Sequence, residues 1–532
     1  MVYSKQLRVI QERLKITGEL EAITAIHVGG HSESFDTDMP LACNGEGKFY
    51  VPGTSLAGVL RAWCQKSFSE KLLINIWGFQ DENNSDKGQA SYIIIEDAVI
   101  DLNGGLIEIR DGVGIDRIFG TAVENFKFDR AVIPRVSKIK FKMLLDIPSA
   151  DSNDFKTIIG HLLEALTDEK IRLGAAKSRG LGRVKLTNTQ IYLENRNSAE
   201  GILKVLKKDP ANSITINELK ACNQSLKPKT HPQLNIKIEW NAVGPIMVKA
   251  SYDAMAVDTL PLTGNIGNQV ALLLPGSSIK GSLRSQAEKI VRTILEKSAN
   301  KNDASNQRFT TQTKLNLIEN LFGLAGESKN KQQDESLNNK IKAGLAALSV
   351  DDCYAENKVD QEKWQDIEFA KTEKDLIEKL EKANLRKANS QEGFQQAFHV
   401  SIDRWTSAAS DGALYSVLEP YAVNWNAICL TLDFSRLPND KHEVAIMLLL
   451  LLLRDLMSNR IPLGFATNRG MGEIEIKKIS IQGEALPNNL QSLTNICFTE
   501  KTFSELDKTL GNLLKEKWNS WVRENQPKKE GK

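Results

Sequence analysis

Two hydrophobic rhythms alternate along this chain, and the chain runs through them twice. Residues 18–30 (GELEAITAIHVGG) and 232–250 (PQLNIKIEWNAVGPIMVKA) alternate apolar and polar positions, are rich in β-branched residues and end in turn formers. That pattern predicts a strand with one face in a core. Downstream of each, apolar residues recur at three and four (Leu56, Val59, Leu60, Trp63; Ile279, Leu283, Ala287, Ile290), the period of an amphipathic helix. Ser55 and Ser278 stand where an N-cap is expected. Short strands follow (YIIIEDAVI; KIKFKMLLDI and its partner AICLTLDF), then a second apolar helix (FKTIIGHLLEALTD; VAIMLLLLLLRDLM), a glycine loop and a final strand (GRVKLTNTQIYL; GEIEIKKISIQ). Each copy therefore reads βαβ-β-αβ. The simplest sheet that accommodates it is an α+β, ferredoxin-like (RRM-like) fold with added hairpins, of the kind that presents a sheet face to RNA.

The duplication is visible in the motifs as well as in the rhythm. VPGTSLAGVLRAW from Val51 matches LPGSSIKGSLRSQ from Leu274, IWGF (76–79) answers NLFG (320–323), and IIIEDA (93–98) answers LSVDDC (348–353). GIDRIFGTA (114–122) answers SIDRWTSAA (401–409), and GAAKSRGLGRVKL (174–186) answers GFATNRGMGEIEI (464–476). Five ordered matches divide the chain into domains at 1–225 and 226–532. Pro52 lies 64 residues before Asp116, whereas Pro275 lies 128 before Asp403. The second copy thus carries an insertion, placed in the Lys, Glu, Gln and Asn-rich region from about 299 to 395. There Leu376, Ile377, Leu380 and Leu385 predict one exposed helix beside a mobile loop.

Composition narrows the function classes. Of 532 residues 41% are hydrophobic and 26% charged, a soluble globular balance. The longest apolar run, VAIMLLLLLL (444–453), has ten residues. That is half of the roughly 20 that cross a bilayer, so a buried helix is expected and no membrane partner. The opening MVYSKQLRVIQERLK is too charged for a secretory signal, and a cytoplasmic protein is expected. The six cysteines lie far apart without a CxxC pair, which predicts reduced core thiols and neither a zinc site nor a disulfide framework. Net charge is only +2, so any surface for a polyanion must be local.

Local basic character appears in two places. Each PG motif supplies a turn and a helix N-terminus, where free N–H groups favour phosphate. Gly53, Ser55 and Arg61 in the first copy, and Gly276, Ser278, Lys280 and Arg284 in the second, are the candidate contacts; a capped core helix with solvated basic residues is the alternative. The glycine loops are the stronger signal. Glycine permits positive φ and close approach of a ligand, and an arginine precedes it in both copies. Lys177, Arg179, Gly180 and Arg183, with Asn468, Arg469 and Gly470, are the candidates there. Neither GxxxxGK[ST] nor a full GxGxxG is present, so a polymer of phosphates fits better than a mononucleotide. His27 and His31 are separated by Val28-Gly29-Gly30, which breaks a helix and argues against a metal pair. Asp116-Arg117 and Asp403-Arg404 either pair within a core or belong to a hairpin whose Ile118, Phe119 and Trp405 pack on bases.

The strand ending in GG, the loop with Asp before Pro, PG(S/T)SxxGxxR, the EDA-like strand, the IDR segment and the glycine loop, in that order and twice, resemble the repeat-associated mysterious protein (RAMP) superfamily. More narrowly they resemble the backbone subunits of type III CRISPR effector complexes, two of them fused as in type III-D-like systems. The resemblance implies an RNA-recognition core that binds guide crRNA, a hairpin thumb that interrupts pairing of guide and target RNA, and other effector subunits as partners. It also implies an aspartate, in the loop between the first strand and first helix, that is needed for cleavage of target RNA with a divalent metal (Mg or Mn). The matching residue in FDTDMPLA is Asp38, two before Pro40. In AMAVDTLPL it is Asp258, three before Pro261, and Asp36 and Asp253 are nearby substitutes. The function so implied is a crRNA-binding endoribonuclease of the complex. The alternatives are a non-catalytic RNA-binding scaffold and a guide-processing endoribonuclease, the latter disfavoured because the second copy lacks a histidine in the corresponding loop.

Overall fold

The structure is a computed structural model, and it describes residues 9–30, 37–80, 88–148, 152–207, 212–251, 254–299, 309, 311–324, 346–387, 392–503 and 506–527. The chain divides into two compact units. One takes the residues up to Ile107 with Ala131–Ala175 and Leu181–Thr230; the other takes Glu108–Arg130, Ala176–Gly180 and everything from His231 onward.

In the first unit the strand Glu12–Ala22 lies between Lys138–Ile147 and Val184–Asn195, antiparallel to both. Leu14, Ile16, Leu20 and Ala22 point to one face and are at most 1% exposed. Burying a Leu or Ile of this kind contributes roughly 1.5–3 kcal/mol, so the alternation legible in the sequence fixes the register. Helices Gly53–Ser67 and Ser152–Thr167 supply Leu56, Leu60, Ile158, Leu162 and Leu166 to the same core.

The second unit repeats the arrangement. Gln233–Ala242 is the central strand, flanked by Ile428–Asp433 and Ile474–Glu484. Each central strand has a bulge against the strand that follows its glycine loop, at Thr17/Glu19 and at Glu239/Trp240. The apolar run becomes the helix His442–Met457, with Leu448, Leu449, Leu452 and Leu453 buried. These two copies are the ferredoxin-like domains expected from the rhythm.

Three readings of the sequence change. The PG helices are capped neither by Ser55 nor by Ser278: Pro52 and Pro275 sit at the N-cap and offer no side-chain acceptor. The cap comes from the EDA-like motif instead. The N–H of Gly53 donates to Asp97 Oδ1 at 2.7 Å, and that of Gly276 to Asp352 Oδ1 at 2.8 Å. A carboxylate at this end also favours the helix dipole. Only glycine allows the approach, since a β-carbon on Gly53 would lie 2.5 Å from Ile95 O. Second, the insertion contributes to the core: helices Gln361–Glu368 and Glu373–Lys382 bury Trp364, Ile367, Leu376 and Leu380. The stripe with Leu376 and Leu380 therefore packs inward and is not exposed, and the polar composition around them hid Trp364 and Ile367. Third, all six cysteines are free, but only Cys64 and Cys353 are buried; Cys43 and Cys497 are exposed.

Among the described residues no helix is long and apolar enough to cross a membrane.

Two hairpins complete the second unit, Glu108–Ile115 with Ala122–Val132 (all but its last two residues) and Gly393–Ile402 with Ala409–Tyr421. Their tips are built alike. Asp116 N–H donates to Thr121 O and Asp403 N–H to Ala408 O, both at 2.8 Å. Each aspartate then accepts two backbone N–H groups, of Ile118 and Phe119 or of Trp405 and Thr406. The IDR aspartate is a turn former, and Arg117 pairs with Glu288.

Candidate functional site

The end of each central strand tethers two loops. In the first unit Ala42 N–H donates to Val28 O and Gly30 N–H to Pro40 O, which anchors the segment carrying Asp38. In the second, Leu262 N–H donates to Val248 O and Ala250 N–H to Leu260 O. These bonds fix the register: Ala42 corresponds to Leu262, Pro40 to Leu260 and Asp38 to Asp258. The proline has moved by one residue and the aspartate has kept its place. Both aspartates are exposed. Asp36, Asp253 and His31 lie outside the described residues. His27 is buried with Nδ1 2.8 Å from Ala131 O.

The glycine loops attach to the same strand ends. Ala175 N–H donates to His27 O at 2.9 Å and Phe465 N–H to Met247 O at 2.7 Å. Leu173 N–H donates to Gly182 O and Leu463 N–H to Gly472 O. At Gly174 and Gly464, with φ of +73° and +89°, a β-carbon would be driven into the carbonyl oxygens of His27 and Met247. These glycines are needed for backbone approach, whatever the arginines do.

Around the first loop, the second unit gathers positive charge. Lys177–Arg179 form a single 3-10 turn. Lys280, 5% exposed, donates to the carbonyl and the hydroxyl of Ser178 at 3.2 and 3.1 Å. Burial first, and then Arg179, Arg284 and Arg436, hold the Lys280 ammonium well below its ordinary pKa. Burial and Arg436 lower Lys177, burial lowers Arg179, and burial with Arg179 takes Arg130 down to about 10. Cations this close raise one another's energy unless an anion is supplied. Arg183 is paired with Glu169 at 2.7 Å in the first unit.

The second loop is held differently. Arg469 donates to the Tyr415 hydroxyl and lies over the rings of Phe465 (5.4 Å) and Tyr415 (5.8 Å). Asn468 and Gly470 are exposed. One residue along the same strand, the N–H and hydroxyl of Ser416 donate to Asp258 Oδ2 at 2.7 and 2.9 Å. These bonds hold the Asp258 carboxyl below the usual range. Asp258 and Arg469 are therefore fastened to neighbouring residues of one hairpin strand, whose successive side chains face opposite sides.

The PG-motif residues have structural partners. Arg61 donates to Gly78 O at 3.2 Å and Arg284 to Gly323 O at 3.1 Å, so each closes the C-terminus of the following helix. Arg284 also pairs with Glu288 at 2.8 Å. The N–H groups of Gly53 and Gly276 are taken by Asp97 and Asp352; Ser55 is exposed and Ser278 half-buried. These helix N-termini thus already hold a carboxylate where phosphate was expected. Sequence reasoning missed Arg130 and Arg436, which lie outside any repeated motif, and Ser416 and Tyr415. In IIIEDA and LSVDDC the second acid is a helix cap, which the motif alone does not reveal.

Among the described residues no group of three or more His, Cys, Asp or Glu side chains is arranged to hold a metal. Among the described residues neither Asp38 nor Asp258 belongs to such a group. A dedicated all-protein cage does not fit; a Mg2+ or Mn2+ ion taking one carboxylate, waters and substrate phosphates does.

The chain has similarities to known proteins. The chain is 23% identical over 236 residues to the CRISPR system Cms endoribonuclease Csm3 of Methanocaldococcus jannaschii, covering 40% of this chain and 93% of that one. A chain in the crystal structure of a Csm3-Csm4 subcomplex of the type III-A CRISPR-Cas interference complex aligns at 18% identity and a TM-score of 0.26, over 40% of this chain and 96% of that chain. The RAMP superfamily profile matches residues 19–185 and 271–475, one stretch in each copy and well over half of the whole. With the helix that follows the PG motif and the glycine loop of each copy inside the matched stretches, the chain belongs to the RAMP superfamily.

Proposed function

We propose that this chain is a tandem backbone subunit of a cytoplasmic type III CRISPR ribonucleoprotein, of type III-D-like layout. It binds guide crRNA along its two copies, cleaves complementary target RNA at Asp38 and Asp258, and assembles with other effector subunits. The observation that carries this reading is that Asp258 and Arg469 are both fastened to one hairpin strand, at Ser416 and Tyr415, with Asp38 in the same backbone register in the other copy. The curated relative's description as an endoribonuclease supports it.

The cationic cluster and Arg469 hold backbone phosphates, and the aromatic rings beside Arg469 offer stacking for an unpaired base. Asp38 or Asp258 accepts the proton of a 2′-hydroxyl whose oxygen attacks the adjacent phosphorus. The bond from phosphorus to the 5′-oxygen breaks, the departing oxygen takes a proton from water, and the products are a 2′,3′-cyclic phosphate and a 5′-hydroxyl. General-base help of this kind is worth about 10² to 10⁴-fold. A divalent ion held by Asp38 or Asp258 would stabilise charge on the phosphoryl oxygens.

A scaffold without catalysis is favoured at one position by one observation: Ser416 already occupies one oxygen of Asp258. Assembled complex with guide is incubated with complementary RNA, with and without chelator. Asp38→Ala and Asp258→Ala are each expected to abolish one cut and leave guide binding intact, and chelation to abolish both. Cuts that persist in Asp258→Ala alone would make the second copy a scaffold; cuts that persist in both variants would overturn the catalytic reading.

A further inference from the structure

The returning strands of the two hairpins correspond at one constant offset. Their tips agree on it, Asp116 with Asp403 and Thr121 with Ala408. So do the tethers further along: Ala131 N–H donates to Met39 O at 3.1 Å and Leu418 N–H to Thr259 O at 2.9 Å, one residue beyond Asp38 and Asp258. On that offset the first hairpin carries Asp129 where the second carries Ser416. The backbone tether is common to both copies, and the hydroxyl is particular to the second.

Ser416 is 5% exposed, whereas Asp258 stands in the open. Three hydrogen bonds clasp the two residues. Asp258 N–H donates to Ser416 Oγ at 3.2 Å, and the N–H and hydroxyl of Ser416 donate to Asp258 Oδ2 at 2.7 and 2.9 Å. The buried hydroxyl thus both accepts and donates, which satisfies it. Thr259 extends the clasp as a parallel bridge to Val417, both of them buried. An exposed loop aspartate ordinarily turns among several rotamers, and this one is fixed from the buried side. Both bonds to the carboxylate fall on Oδ2, so Oδ1 is the oxygen left for a proton or an ion.

We propose that Ser416 is a positioning residue for cleavage in the second copy: it fixes the Asp258 carboxylate so that Oδ1 is presented to the RNA. The inference rests on the catalytic reading of Asp258. It gives the occupied oxygen a purpose. A carboxylate that must take a proton from one particular 2′-hydroxyl gains from losing its rotamer freedom before the substrate arrives. The preceding residue, Tyr415, receives Arg469, so the strand that orients the carboxylate also carries the candidate phosphate contact.

Assembled complex with guide and divalent metal is followed under single-turnover conditions on labelled complementary RNA, so that both cuts are timed together. The second cut is the one that Asp258→Ala removes. Ser416→Ala keeps the backbone N–H and loses the hydroxyl. It should slow the second cut by about ten- to a hundredfold, the cost of a lost charge-assisted bond and a loosened geometry, and leave the first cut and the target affinity unchanged. Ser416→Thr restores a hydroxyl on the same carbon and should return the rate. A second cut that is unchanged in Ser416→Ala would overturn the proposal, and a faster one would do so by making the clasp a restraint. Slowing that Ser416→Thr does not relieve, or that comes with an equal loss of the first cut or of target affinity, would make the serine structural only and overturn it too. If Asp258→Ala leaves both cuts, the catalytic reading of the second copy falls and the positioning role with it. If Asp258→Ala removes a cut that Ser416→Ala does not slow, the positioning role alone falls.

Discussion

Gly180 and Gly470 occupy the same step of the two glycine loops. Each loop turns through an alanine at positive φ, Ala176 at +54° and Ala466 at +53°, and the glycines stand at +98° and +87°. In both, the arginine N–H donates to that alanine's carbonyl at 2.8 Å. The surroundings differ. Gly180 is buried against the Asp352 carboxylate, and its arginine belongs to a cluster with Lys177, Lys280 and Arg436. Gly470 opens onto space, and its arginine rests on two aromatic rings. The repeated motif sets the backbone, and the neighbours decide what the backbone carries. One loop is an electrostatic element locked into a packed site; the other is an exposed element that pairs a cation with stacking surfaces.

The largest expected effect breaks the packing half of that contrast. Gly180→Ala would force a β-carbon into the Asp352 carboxylate, which is 0% exposed and paired with Arg110. Positive φ costs a non-glycine residue about 1–2 kcal/mol, and disturbing a buried ion pair about 3–5 kcal/mol. Gly470→Ala meets only the first of these. Denaturant melts of the full chain should therefore separate the variants by about 3 kcal/mol or more. Equal losses would show that the two sites are packed alike.

Binding sharpens the electrostatic half. Each phosphate contact on single-stranded RNA contributes about 0.7 to the slope of log K against log salt. Arg179→Ala and Arg469→Ala should each lower the slope by about that amount. Arg469→Lys, which keeps the charge and loses the planar ring contact, should keep the slope while weakening binding by about 0.5–1 kcal/mol. Filter binding with a guide RNA at several salt concentrations checks all three.

The difference between the copies also marks what could be read in advance. Strand Lys138–Ile147 was legible because Ile139, Phe141, Met143, Leu145 and Ile147 recur at every second position and a turn follows. The repeat made the loops comparable and singled out Arg179 and Arg469 as candidates by residue identity. It was not enough to show that Arg61 and Arg284 close helix ends, because a side-chain bond to a carbonyl 17 or 39 residues away leaves no local pattern. The cluster at Lys280 was hidden for the same reason: Arg436 and Arg130 come to it through the fold, from segments outside any repeated motif. The cap was hidden by the prolines. A serine inside the first turn looked like a cap, while the acceptor came from the end of a strand 44 or 76 residues downstream.

The smallest expected effect is a proton linkage confined to the first loop. Burial and neighbouring cations hold Lys177 and Lys280 below the ordinary lysine pKa in the free protein. A bound polyanion favours the ammonium form and raises both pKa values again. Between the free and bound values, binding takes up protons, so affinity should fall as pH rises through that window and be flat below it. Folding has the opposite sign. The unfolded chain binds these protons more readily than the native one over the range between the depressed and the ordinary pKa, so stability should rise with pH there. A general alkaline loosening of the fold would lower affinity and stability together, whereas the linkage moves them apart. Guide-RNA affinity and denaturation midpoint measured over the same alkaline series provide the check. Lys280→Met, which removes the charge and keeps the length, should flatten both curves, and Arg469→Ala should leave both slopes in place. A pH slope that survives in Lys280→Met and Lys177→Met together would place the titrating group outside the first loop.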